Sequence, residues 1–132
     1  METNKHNQLQ ELYDACEALY ASGPTDTTNF SEEEKIAWMQ DGFERMKKKC
    51  AMRNEMSNIA STSISRLRSD VIVLRDQYAS DTPEYEKLDD LSKALREVSA
   101  CFIFASHAEI LRIYDEVYHR TQLYIAEYEK SL

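Results

Sequence analysis

Apolar residues in this chain recur in steps of three and four over most of its length. The longest series is Ile36, Met39, Phe43, Met46, Cys50, Arg53, Ser57, Ala60, Ile64, Leu67, Val71, Leu74 and Tyr78. An average step of 3.5 residues lays a narrow seam along a helix and requires a partner helix to cover it. Arg53 and Ser57 place polar groups midway along that seam, with apolar positions on both sides.

A shorter stripe, Leu9, Leu12, Tyr13, Cys16, Leu19 and Tyr20, predicts a first helix over roughly residues 5–22, closed by Ser22-Gly23-Pro24. Ser31-Glu32-Glu33-Glu34 has the form of a capping box, with acidic residues suited to a helix N-terminus. It predicts a second helix over 31–80, in which Gly42 is a weak point costing about 1 kcal/mol relative to Ala. Thr82-Pro83-Glu84 opens a third helix, expected to run uninterrupted over 83–130 because no Gly or Pro follows. Its seam, Leu88, Leu91, Leu95, Val98, Phe102 and Ala105, gives way to Ile110, Ile113, Val117, Tyr124 and Tyr128. That shift reads as a stutter that rotates the stripe.

These elements predict one all-α domain over 1–132. A short N-terminal helix packs on a long antiparallel helical hairpin, making an elongated, coiled-coil-like three-helix bundle. Two helices of nearly fifty residues would form a rod of ~70 Å. Folding back at the connector would bring Arg75 to Asp89 and Asp90, Lys47 to Lys49 toward Asp115 and Glu116, and Glu44 toward Arg120. Arg53 would snorkel outward or meet Glu109 or Asp115, fixing the register of the hairpin.

The apolar surface does not close under this arrangement. Trp38, Tyr118 and Ile125 fall within reach of the first helix, whereas Met52, Met56, Ile59, Phe104, Ala108 and Leu111 lie beyond it. That mid-rod cluster is the expected partner or self-association surface, since a large apolar side chain gains roughly 1.5–3 kcal/mol on burial. The competing expectation is that the cluster is ordinary core.

Composition narrows the function. With 132 residues, 42% hydrophobic and 30% charged, the chain has room for one soluble folded domain. A formal net charge of -8 disfavours general nucleic-acid and anionic-membrane binding, and no apolar run approaches the ~20 residues of a membrane span. Cys16, Cys50 and Cys101 are odd in number and lie at apolar-periodic positions. They are expected to be reduced and buried, in a cytoplasmic or nuclear protein.

Candidate chemistry is sparse. Glu116-Val117-Tyr118-His119 places a carboxylate and an imidazole on one helical face, but a carboxylate-bridged di-metal bundle needs two such motifs plus further glutamates. Scattered His6, His107 and His119 show no zinc spacing, and no glycine-rich phosphate loop occurs. No catalytic residue, cofactor or metal is therefore assigned. The basic run from Arg45 to Arg53 is the alternative contact, for nucleic acid, though no aromatic set interleaves it. The reading is a non-enzymatic interaction or scaffold subunit that binds a protein partner or a second copy of itself.

Overall fold

The computed structural model describes residues 2–21 and 26–132, so the expected stop at Ser22-Gly23-Pro24 lies outside the described residues. Four helices follow one another: α1 (His6–Ala21), α2 (Glu32–Arg75), α3 (Pro83–Cys101) and α4 (His107–Lys130), with no strand among the described residues. The chain is an all-helical bundle. The expected third helix is instead two helices, and the second ends at Arg75, short of residue 80.

Local chemistry places most of the boundaries. Ser31 Oγ accepts the backbone N–H of Glu34 at the start of α2, and Thr82 Oγ1 accepts that of Tyr85 at the start of α3, where Pro83 fills the first turn. Past Arg75 the chain tightens into turns closed by Gln77 N–H to Leu74 O, Tyr78 N–H to Arg75 O and Thr82 N–H to Ala79 O. Tyr78 is carried with this turn toward α4, where its hydroxyl donates to Tyr128 O at 2.7 Å.

The break between α3 and α4 needs neither glycine nor proline. Ser106 Oγ accepts the Glu109 N–H, and the Glu109 carboxylate accepts the Ser106 N–H, a complete capping box. Phe102 turns its ring into the core and is fully buried, with Ala105 nearly so. Burial of Phe102 and the new cap together offset the helical hydrogen bonds given up at the break.

The break decides the topology. Arg75–Asp89, Arg68 Nε to Ser92 O, and Ser61 and Ser65 against Ser99 mark α3 running antiparallel along the C-terminal half of α2. Ser63–Tyr114 and Tyr78–Tyr128 then mark α4 running parallel to α2. α1 returns antiparallel to α4, as His6–Asp115 and His107–Glu17 show, and packs on both α2 and α4. The core gathers Ala60, Ile64, Leu67 and Val71 of α2 with Leu88, Leu95 and Phe102, then Ile110, Tyr114 and Ile125, and Leu9 from α1.

With α4 turned back, nothing from the C-terminal half of the chain runs beside the N-terminal part of α2. Residues 31–41 are exposed without exception, and the helix projects as an arm. Of the charge pairings expected for a full-length hairpin, Arg75–Asp89 forms at 2.7 Å. The others give way: Asp115 meets His6, Glu116 meets Arg112 and Arg120 on its own helix, and Glu44 meets Lys47. Cys16 is buried as expected, and burial, then the neighbouring Glu17, pushes its thiol up from the ordinary range. Cys50 and Cys101 are exposed, one at the root of the arm and one at the end of α3.

Candidate interaction surface

The seam of α2 is one stripe with two fates. From Ser57 to Leu74 it faces α3 and α4 and is buried at Ser57, Ala60, Ile64, Leu67, Val71 and Leu74. From Cys50 back to Ile36 it continues along the same face of the same helix, past the point where α3 stops. There Ile36, Met39, Phe43 and Met46 are 55%, 53%, 60% and 58% exposed. The sequence pattern that predicts a covering helix is present; among the described residues no helix covers these four side chains.

Arg53 stands at the boundary. Its Nη1 donates to Ala105 O at 2.7 Å and to Phe102 O at 3.4 Å, and its Nη2 donates to Ile103 O at 3.0 Å. Ser57 Oγ adds a bond to Phe102 O at 2.9 Å. These acceptors are the carbonyls freed where α3 ends, so the guanidinium closes the helix end that the break creates. Arg53 thus meets backbone carbonyls of the connector and not the expected Glu109 or Asp115.

The expected mid-rod cluster is not one open surface. Met56 is fully buried in the core, and Ile59 and Leu111 pack half-buried against it. Met52 is half-buried, Ala108 is exposed, and Phe104 stands 92% exposed on the α3–α4 connector beside Ile103. The reason is the turn at 102–106, which draws α4 back along α2 and divides the cluster between core and connector tip. Trp38, expected under α1, is 36% exposed on the arm, while Tyr118 and Ile125 are buried within the bundle.

A polar network ties the N-terminus to the bundle's interior. Tyr114 OH accepts the Lys5 N–H at 2.9 Å and shares a hydrogen bond with Ser63 Oγ at 2.8 Å. Tyr118 OH donates to Glu2 O, and Glu2 N–H donates to Asp70. Burial is the main cause that pushes both the Tyr114 and Tyr118 hydroxyls above the ordinary phenol range. This satisfies a buried phenol by a peptide N–H and a serine, which is structural work.

Among the described residues no three His, Cys, Asp or Glu side chains meet as a metal site requires. Glu116 pairs with Arg112 and Arg120. Of the basic run, Arg45 lies 3.4 Å from Asp41, Lys47 lies 3.4 Å from Glu44, and Arg53 is held by the connector. No helix among the described residues is long and apolar enough to cross a membrane. No family model, curated protein or solved structure matches this chain.

Sequence reasoning missed the arm as a site because it supplied the arm with a partner from residues beyond 102. The signal was available in Ser106-His107-Ala108-Glu109, which repeats the Ser-x-x-Glu form at Ser31, where the serine cap forms without the reciprocal glutamate bond.

Proposed function

We propose that this protein is a non-enzymatic interaction or scaffold subunit whose contact surface is the apolar seam on the N-terminal arm of α2. The observation that carries the reading is the exposure of Ile36, Met39, Phe43 and Met46 in consecutive steps of three and four. Four large apolar side chains on one helical face would each gain roughly 1.5–3 kcal/mol on burial, and an exposed patch of this kind marks an association surface. Methionine at two of the four positions suits a face that adapts to what it meets. The surface is displaced from the one expected from sequence, toward the N-terminus of α2. Its work belongs in a cytoplasmic or nuclear setting, where Cys50 and Cys101 stay reduced.

Affinity capture from the native host, with wild type and with Ile36→Glu/Phe43→Glu, tests the reading. The expected result is a protein partner, or a second copy, held by wild type and lost from the variant. Equal capture by a correctly folded variant would remove the arm from the function.

A further inference from the structure

We infer that the arm of α2 pairs antiparallel with the arm of a second copy of this chain. The inference rests on the reading of the arm as a contact surface and names its occupant. Two features select that occupant, the heptad spacing of the seam and the distribution of charge along the arm.

The spacing Ile36, Met39, Phe43, Met46, Cys50 alternates three and four, the pattern of a two-helix seam and not of a broad amphipathic face. The arm is acidic at its tip, with Glu32, Glu33 and Glu34, and basic toward its root, with Lys47 and Lys48. Parallel pairing would set like charge beside like at both ends. Antiparallel pairing sets Ile36 against Met46 and Met39 against Phe43 of the second copy, and brings Glu33 beside its Lys47 at both ends of the contact. A like-charge approach, Lys35 to Lys49, is relieved by the pairing of Lys35 with Glu32 on its own helix.

The contact also ends where the bundle begins. In this register Glu32 of the second copy reaches the exposed Cys50, the last seam position before Arg53, whose guanidinium donates to Ile103 O of the connector. Four seam side chains from each arm, all more than half open, make a small contact, at the low end for a specific interface.

The test is the mass of the purified full chain in solution. Wild type is expected at twice 15.4 kDa, and Phe43→Glu at 15.4 kDa with its helical signal and bundle melting retained. Lys47→Glu/Lys48→Glu is expected to weaken the dimer at least tenfold, and adding Glu33→Lys/Glu34→Lys to restore it. In a Cys101→Ser background, Glu32→Cys is expected to oxidise to an intermolecular disulfide with Cys50. A monomer at all concentrations, a dimer indifferent to Phe43→Glu, or ready Cys50–Cys50 cross-linking, which only parallel pairing allows, would overturn the inference. A wild-type monomer that still captures a protein through Ile36 and Phe43 would overturn the pairing alone and leave the proposed function standing.

Discussion

The guanidinium of Arg53 holds the carbonyl oxygen of Ala105 at 2.7 Å, across fifty-two residues of sequence. This contact joins the point where the α2 seam leaves the core to the point where α3 gives way to α4. Replacing Arg53 by Ala would leave the carbonyls of Phe102, Ile103 and Ala105 without their charged donor. The expected loss is roughly 1.5–3 kcal/mol in urea unfolding, with Arg53→Lys recovering only part because an ammonium cannot span three acceptors. An unchanged midpoint would show the contact to be incidental.

How much of this was legible in the sequence can be judged at the same two residues. Arg53 stands out in its seam as a charged group among apolar positions. Its partners are not legible, because free backbone carbonyls exist there only if the helix ends, and the lack of Gly or Pro predicts a continuous helix. Both the shift of stripe after Ala105 and the Ser106–Glu109 spacing marked the break. Periodicity alone cannot separate a rotated seam from a turned chain, since both move the apolar stripe to a new face. The boundaries at Ser31 and Thr82, by contrast, rest on short-range cap chemistry that needs no knowledge of the fold.

Met56 and Phe104, grouped together by sequence, should now behave oppositely. Met56→Ala opens a cavity in a fully buried position and is expected to cost about 2–5 kcal/mol. Phe104→Ser, at 92% exposure, is expected to stay within about 0.5 kcal/mol of wild type. Thermal melts of the two variants side by side check both statements.

Gly42 lies in the arm with nothing within 4 Å of a Cβ placed there. Gly42→Ala is accordingly expected to stabilise the helix by about 1 kcal/mol and to slow amide exchange in the arm. Faster exchange in the variant would mean that Gly42 makes a close contact in solution.

Acid should loosen the bundle at two places. Hydrogen bonds from Lys93 and then Arg75 hold the Asp89 carboxyl below its ordinary value of 3.8, and bonding to Ser106 holds Glu109 below 4.5. A depressed carboxylate contributes stability that is present above its unfolded pKa and lost as pH falls through the lower, folded one. Stability is therefore expected to hold at neutral pH and to decline as pH falls below about 4.5. Asp89→Asn and Glu109→Gln should each flatten that decline in unfolding measured against pH.

At the alkaline end the sign reverses. Burial is the leading cause that raises Tyr78, Tyr114 and Tyr118 above their ordinary value of 10.0. Their contribution is complete below that value and fades as pH climbs through the higher, folded ones. In a near-ultraviolet titration these three should ionise above the ordinary phenol range, and Tyr114→Phe should remove one such late transition.

One uninterrupted helix is both a wall of the core and the projecting arm. An object gripped near Ile36 is therefore held at a set azimuth to the bundle, with no joint at which it could swivel. Tension applied there is delivered straight to Ile64 and Leu67, so the strength of any such anchorage is capped by how firmly the bundle keeps its own interior shut.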